Sequence, residues 1–182
     1  MTLGQEPPEL IKHRLFYEGK KFNFEVSRFR LPNQSVGDWE WIRHPGGSMA
    51  VPVTAKEKFV LVRQYRFAMQ GRLLEFPAGT VEVGEEPLTT IRREIEEETG
   101  YRAAKWQMLG QFPNAPGYSD EIIYAYLATE LEKLPEGPKL EEDEDLEVVL
   151  MDAHELEQAI SEGVPMDAKT IAAFYMARAK LT

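Results

Sequence analysis

One amphipathic helix, with strand-like sequence on both sides, most strongly constrains the fold of this chain. Pro87 suits a first helical turn, and acidic residues at 85 and 86 suit the positive end of the helix dipole. Gly100 suits the position just after a helix end. The sequence therefore predicts a helix over residues 87–99.

Two faces of this helix carry different chemistry. Apolar residues spaced i, i+3, i+7 form a stripe that must pack against a core: Leu88, Ile91 and Ile95. Glu94, Glu97 and Glu98, spaced i, i+3, i+4, bring three carboxylates onto another face. Like charges at this spacing destabilise a helix unless something compensates them, and divalent metal is the obvious compensator. Glu96 and Thr99 are expected to face solvent; an acidic helix without chemistry is the alternative interpretation.

The rest of the chain is dominated by strand-like patterns. Apolar and polar residues alternate over roughly the first 35 positions, which predicts a small antiparallel sheet that continues through residues 39–43. Further strands are predicted at 49–53, 58–65, 106–112, 121–128 and 146–151, and helices at 152–161 and 168–181, the last capped by Asp167. This order indicates an α+β domain rather than a doubly wound sheet. The Pro-Gly-Gly break at 45–47 divides it into an N-terminal β module (1–47) and a main domain (48–182).

Composition restricts the classes of function. The net charge of −10 opposes binding to a phosphate backbone, so no nucleic-acid partner is expected. There is no cysteine, which excludes disulfides and thiolate ligands. The chain has no apolar run of about 18 residues and no signal peptide at its start. We therefore expect a cytoplasmic protein without a membrane partner.

Residues 79–101 resemble the signature of the Nudix hydrolase family, Gly-x5-Glu-x7-Arg-Glu-aliphatic-x-Glu-Glu-x-Gly-aliphatic. The matching positions are Gly79, Glu85, Arg93, Glu94, Ile95, Glu97, Glu98 and Gly100, and Tyr101 replaces the final aliphatic residue. The resemblance implies a Nudix fold, a mixed α/β/α sandwich, here with a small N-terminal antiparallel sheet.

The resemblance also implies a metal site. It assigns Mg²⁺, for which Mn²⁺ could substitute, to the backbone carbonyl of Ala78 and to the carboxylates of Glu94 and Glu98. Glu97 would be a further ligand or a catalytic group beside the metal. Glu85 and Arg93 would form a structural pair that ties the loop to the helix; each could equally belong to a surface ion pair.

Residues 114–121, Asn-Ala-Pro-Gly-Tyr-Ser-Asp-Glu, resemble the Ser-Pro-Gly-x-Thr-(Asp/Ser)-Glu element of ADP-ribose and nucleoside diphosphate sugar pyrophosphatases. Ala115 and Ser119 depart from that pattern. The resemblance implies substrate contacts at Pro116, Gly117 and Glu121, although Pro-Gly is also an ordinary turn. Residues 63–66 and 74–79 look like the same subgroup, and there Arg66 is the expected contact to phosphate or terminal ribose.

The acidic segment over residues 141–147 precedes a predicted strand, as a catalytic loop does in similar enzymes. By that correspondence Glu144 would complete the metal site and Glu142 would be the general base. A solvated acidic loop is the alternative.

Members of this subgroup form homodimers whose N-terminal sheets exchange, so the resemblance implies a domain-swapped homodimer. In that arrangement Trp41 and Arg43 would contact the base or phosphate from the partner subunit. The alternative is that the tryptophans of this region pack the small sheet or the dimer.

Together these features predict Mg²⁺-dependent hydrolysis of the pyrophosphate of ADP-ribose, or of a related nucleoside diphosphate sugar, to nucleoside monophosphate and sugar phosphate. Alternatives within the family are GDP-mannose, another sugar nucleotide, a dinucleoside polyphosphate or an oxidised nucleotide. A non-catalytic module that binds ADP-ribose is the alternative from another class.

Overall fold

The computed structural model describes residues 6–140 and 144–181, and the chain divides into two compact units. One unit comprises Met1–Pro45 with Pro113–Glu121, and the other comprises Gly46–Phe112 with Ile122–Thr182. The segment that contains Pro116 and Gly117 therefore belongs with the N-terminal sheet. In the part of the chain that the structure describes, no helix has both the length and the apolar character needed to span a membrane.

The N-terminal unit is built on an antiparallel sheet, as the alternating sequence predicts. Its strands are β1 (Glu9–Glu18), β2 (Asn23–Arg30) and β3 (Val36–Arg43), in spatial order β1-β2-β3. The loop from the second half of the chain joins the edge strand β3. The Ile42 amide donates to the Tyr118 carbonyl at 2.8 Å, and the Asp120 amide donates to the Ile42 carbonyl at 3.2 Å. These bonds bring the 113–121 segment onto the small sheet.

The remaining elements form two further sheets and three helices. The strands are β4 (Gly47–Pro52), β5 (Phe59–Arg66), β6 (Gly71–Glu75), β7 (Ala78–Thr80), β8 (Tyr101–Pro113), β9 (Ile122–Lys133) and β10 (Leu146–Met151). The helices are α1 (Pro87–Glu94, continued by a π-helical turn Ile95–Thr99), α2 (Ala153–Ser161) and α3 (Ala168–Leu181). The sheet orders are β10-β5-β6 and β7-β4-β9-β8, and β4 runs parallel to β9.

Strand β4 lies at the centre of the larger unit, because every one of its residues is buried. Side chains of a strand alternate between its two faces. Met49 and Val51 pack in one cluster with residues of α2 and α3, whereas Ala50 packs with Ile91 and Ile95 of α1. Helices therefore cover both faces of this sheet, which confirms the predicted α/β/α sandwich.

The central helix follows the prediction up to its last turn. Residues 87–94 are α-helical, but residues 95–99 form a π-helical turn that ends at Gly100. The expectation that Thr99 faces solvent is wrong, since it is 2% exposed. The wider turn rotates Thr99 inward, where its hydroxyl donates to the Ile95 carbonyl. Turns of this kind inside α-helices occur frequently at functional sites.

Two bonds to β4 position the segments around the helix. The Ser48 hydroxyl donates to the Pro87 carbonyl at 2.7 Å, and the Ala50 amide donates to the Pro77 carbonyl at 3.1 Å. Strand β7 also pairs with β4, with Ser48 opposite Gly79. The start of α1 and the segment at 77–80 are therefore both fixed to the same buried strand.

Candidate active site

Glu98 is a buried carboxylate at the end of the central helix. The residue is 3% exposed, and its Oε2 accepts a hydrogen bond from the Ala78 amide at 3.2 Å. Burial raises the pKa of Glu98 well above its ordinary value, and the charges of Glu94 and Glu144 raise it further. A buried acid that is crowded by other acids is stabilised when a cation joins it.

Glu94 lies against the backbone of strand β7. A Cβ added to Gly79 would stand 2.1 Å from Oε1 of Glu94 and 2.3 Å from its carboxyl carbon. The absence of a side chain at position 79 therefore leaves room for this carboxylate. Burial raises the pKa of Glu94, although the neighbouring Arg93 guanidinium lowers it in part.

Glu97 differs from the other two glutamates of the helix. Its side chain is 40% exposed, against 12% for Glu94, and it accepts a hydrogen bond from Arg93 at 2.9 Å. Arg93 also lies 3.0 Å from Glu94. The Thr90 hydroxyl donates to Glu85 at 2.7 Å, and the charge of Glu85 helps to raise the pKa of Arg93. The structural pair of Glu85 and Arg93 stays a prediction.

The acidic segment contributes at least one group to this neighbourhood. The charge of Glu144 is close enough to raise the pKa of both Glu94 and Glu98. The next residue, Asp145, is paired with Arg72 instead. Glu142, the predicted general base, lies outside the described residues.

These donors fit a hard divalent cation. Carboxylate and carbonyl oxygens are the ligands that Mg²⁺ and Mn²⁺ prefer, and the close packing of Gly79 on Glu94 brings backbone and carboxylate together. Over residues 6–140 and 144–181, no three acidic or histidine side chains already converge as a finished metal cage. The structure brings the predicted ligands Glu94 and Glu98 together with the backbone at Ala78 and Gly79. Glu97 instead forms an ion pair with Arg93 at the surface.

Arg66 takes part in a buried ionic network beside this site. Its Nε and Nη2 donate to the two carboxylate oxygens of Glu75 at 2.7 and 2.6 Å. Lys169, from the first turn of α3, donates to Glu75 at 3.0 Å and also contacts Asp167. Burial would raise the pKa of Glu75, but the hydrogen bonds and charges of Arg66 and Lys169 outweigh it and lower the pKa. The sequence pattern did not reveal Lys169, because its partner is 94 positions away.

The N-terminal unit contains an aromatic cavity of about 330 Å³. The predicted substrate residues Trp41, Pro116 and Gly117 line it. Phe29, whose ring centroid lies 5.5 Å from that of Trp41, and Tyr118 also line it; neither was singled out in the sequence. An aromatic-lined cavity of this size suits a nucleoside base.

Arg43 and Glu121 are not among the lining residues of this cavity. Arg43 lies over the Trp41 ring, with its guanidinium carbon 5.8 Å from the ring centroid. It donates to Asp120 at 3.0 Å and to the buried Glu25 at 3.1 Å. Glu121 accepts a hydrogen bond from Asn114 at 2.7 Å, within the same loop.

Comparison with known proteins identifies the family. The NUDIX domain matches residues 35–174, so the chain belongs to the Nudix family. It is a Nudix hydrolase, and enzymes of this family generally depend on divalent metal ions.

Several proteins resemble this chain over most of its length. It is 37% identical to an ADP-ribose pyrophosphatase of Bacillus subtilis, over 91% of this chain and 89% of that protein. It is also 37% identical to a methanol dehydrogenase activator of Bacillus methanolicus, over 90% and 88%. A GDP-mannose pyrophosphatase of Cronobacter sakazakii is 33% identical over 90% and 91%. The solved structure of an ADP compounds hydrolase shares the fold with a TM-score of 0.81, at 19% identity over 99% of this chain and 97% of that one.

Proposed function

We propose that this chain hydrolyses the pyrophosphate bond of ADP-ribose, or of a closely related nucleoside diphosphate sugar, with Mg²⁺ as its cofactor. The products are a nucleoside monophosphate and a sugar phosphate. The observation that carries the proposal is the burial of Glu94 and Glu98 against the backbone at Ala78 and Gly79, with both carboxyl pKa values raised.

The acidic residues of the predicted metal site have separate roles in this proposal. The Ala78 carbonyl, Glu94, Glu98 and Glu144 would hold the metal, with Glu97 as a further ligand at the exposed side. The chemistry supplied by Mg²⁺, or by Mn²⁺ in its place, would be neutralisation of phosphate charge and a lower pKa of the bound water. Glu142 would accept a proton from the attacking water, as a carboxylate can when that pKa is lowered.

Arg66 and Trp41 are the principal substrate contacts in the proposal. Arg66 binds phosphate or the terminal ribose, since its side chain remains 38% exposed beside Glu75 and a guanidinium matches phosphate oxygens. Trp41 stacks on the base, and Pro116 and Gly117 form part of the same cavity wall. Arg43 supports the Trp41 ring, over which its guanidinium lies. Glu121 stabilises the 113–121 segment through its hydrogen bond from Asn114.

A homodimer exchanged through the N-terminal sheets is part of the proposal. Strand β1 is exposed along its whole length, and its apolar side chains include Leu15, Phe16 and Tyr17, exposed by 53%, 56% and 67%. Exposed apolar surface of this kind favours association with another chain. Size-exclusion chromatography with light scattering tests it, and a monomer at micromolar concentration would reject this part.

GDP-mannose is the second candidate substrate. It is supported by the 33% identical relative that carries that name and by the replacements at Ala115 and Ser119 in the substrate loop. The Trp41 cavity suits either purine base, so only a direct comparison of substrates separates the two.

The test is a panel of ADP-ribose, ADP-glucose and GDP-mannose with the purified protein in Mg²⁺, with EDTA and the Glu98→Gln variant as controls. We expect AMP and ribose 5-phosphate from ADP-ribose, at a higher kcat/KM than for the other two. Cleavage of dinucleoside polyphosphates alone, or turnover that survives EDTA, would reject the proposal.

A further inference from the structure

The carboxylate of Glu75 is bound by two cations rather than one. The residue is 1% exposed. Its Oε2 accepts from both Arg66 Nη2 and Lys169 Nζ, at 2.6 and 3.0 Å, while its Oε1 accepts from Arg66 Nε at 2.7 Å. A buried carboxylate needs all of these donors, because an unpaired charge in the interior is costly.

Lys169 is itself held at the start of α3. Asp167 caps this helix, since its Oδ1 accepts from the Thr170 amide at 2.8 Å, and the same carboxylate contacts Lys169. The Thr170 hydroxyl accepts from the Phe76 amide at 3.0 Å. The first turn of α3 is thus attached to Glu75 and Phe76, the two residues that precede the Pro77-Ala78-Gly79 segment.

We propose that Lys169 is a positioning residue for Arg66. It supplies the second charge that fixes the Glu75 carboxylate, and the fixed carboxylate in turn holds the Arg66 guanidinium by two parallel hydrogen bonds. This inference rests on the proposed function for one point only, the contact of Arg66 with substrate phosphate.

The orientation of the Arg66 guanidinium should affect substrate binding, because the side chain lies beside the proposed metal site. Its side chain keeps 38% of its surface exposed, and the charges of Glu98 and Glu144 act on it. A guanidinium that is fixed before the substrate arrives loses less entropy on binding phosphate than one free to rotate. Without Lys169, Glu75 would be free to shift, and Arg66 would lose its fixed direction.

The chain provides a matched control at Lys58. This lysine also bridges two carboxylates at a helix start, with its Nζ 3.1 Å from both Asp152, the N-cap of α2, and Glu155. It differs in being more exposed, 37% against 12% for Lys169, and neither of its partners contacts Arg66. Lys58→Met therefore removes the same kind of bridge without touching the network.

The positioning is tested by NMR without any substrate. The Nε–H resonance of Arg66 is assigned by its loss in Arg66→Lys, and its exchange with water is measured in each variant. We expect faster exchange and a shifted resonance in Lys169→Met, with no change in Lys58→Met. An Arg66 resonance that is identical in wild type and Lys169→Met would overturn the proposal. Should Lys169→Met fail to fold, Lys169→Gln, which keeps a donor but not the charge, is measured in its place.

The consequence for binding is measured with the substrate that the wild type hydrolyses. We expect Lys169→Met to raise KM about tenfold, the effect of one weakened charge-assisted hydrogen bond, with a smaller change in kcat. Because the chain contains no cysteine, Lys169→Cys can be aminoethylated at a unique thiol to restore the charge, and this should lower KM again. An aminoethylated protein with the same KM as the unmodified Cys variant would contradict the role of the charge.

The two proposals fail in different ways. A wild type that hydrolyses no nucleotide sugar refutes the proposed function, while the Arg66 resonance still decides whether Lys169 positions it. If the wild type is active and Lys169→Met changes neither KM nor the Arg66 resonance, only the positioning role of Lys169 is refuted.

Discussion

The carboxylate of Glu98 lies 3.2 Å from the amide nitrogen of Ala78, joined to it by a hydrogen bond. This contact links the end of the central helix to the start of strand β7. The adjacent Glu97 has no such link: it is paired with Arg93 at the surface. The two neighbouring glutamates of the signature therefore occupy different environments, and their substitutions should have different effects.

Glu98→Gln should reduce kcat by about 10²–10³-fold or more, by analogy with the loss of one electrostatic group from an active site. Glu97→Gln should have a clearly smaller effect, because that side chain is 40% exposed and bound to Arg93. Steady-state kinetics in Mg²⁺ measure both, and circular dichroism checks that each variant folds. Equal losses in the two variants would contradict the division of roles.

Gly79→Ala should reduce activity about 100-fold, since its Cβ would meet the Glu94 carboxylate at 2.1 Å and a displacement of about 1 Å can have this effect. Gly71→Ala is the matched control, because its Cβ would come only within 3.6 Å of the Met69 carbonyl oxygen. Neither glycine has a left-handed backbone conformation, so backbone strain does not contribute to the difference between the two variants. Full activity of Gly79→Ala would mean that Glu94 does not need its present position.

Trp41→Ala should raise KM for the preferred substrate by a factor that corresponds to about 1–3 kcal/mol of lost base stacking. Trp41→Phe should retain most of the affinity, because a phenyl ring still presents an aromatic face to the cavity. Isothermal titration with a product nucleoside monophosphate measures the same effect without turnover. Equal affinities in wild type and Trp41→Ala would place the base elsewhere.

Glu25 should make the N-terminal unit sensitive to acid. Burial would raise the pKa of this carboxyl, but hydrogen bonds from Ser27 and Arg43, with His13 beside them, lower it below the ordinary value of 4.5. A carboxyl whose pKa is lower in the folded state stabilises the fold above pH 4.5, and this stabilisation is lost as the pH falls through the folded pKa.

The measurement is the unfolding temperature of wild type and Glu25→Gln between about pH 3 and pH 7, a range set by the ordinary pKa of a glutamate. We expect the wild type to be more stable at neutral pH and the difference to shrink as the pH falls below 4.5. A difference that is independent of pH would show that the Glu25 charge contributes nothing.

Gly100→Ala should destabilise the protein more than Gly163→Ala does. Both glycines follow a helix with left-handed backbones, at φ +68° and +72°, so both substitutions carry a strain of about 1–2 kcal/mol. A Cβ at Gly100 would also stand 2.7–2.9 Å from backbone atoms of Gly137 and Pro138, whereas one at Gly163 would meet no described atom within 4 Å. Urea unfolding measures the difference, and equal values would show that the 137–138 loop can move aside.

Elements with local signals were predictable from the sequence. Helix α2 begins where Asp152 and Glu155 form a reciprocal capping box, and α3 begins after the Asp167 cap. The short strands β6 and β7 escaped prediction, because their pairing depends on β5 and β4 rather than on their own residues.

The site was predictable to the same extent. The spacing of Glu94 and Glu98 was sufficient to place them together, since they share a helix. Glu97 and Glu98 both lie in the π-helical turn Ile95–Thr99, which has no clear signal in the sequence. Lys169 was missed because its contact with Glu75 joins distant parts of the chain.

The attachment of α3 to the end of β6 also affects how the protein folds during translation. Glu75 and Phe76 leave the ribosome 94 residues before Lys169 and Thr170, their respective partners. At about 5–20 residues per second, β6 is synthesised several seconds before the first turn of α3. A ribosome-bound chain lacking α3 therefore holds Arg66 without its full support, and substrate affinity should be acquired only after Lys169 has been synthesised.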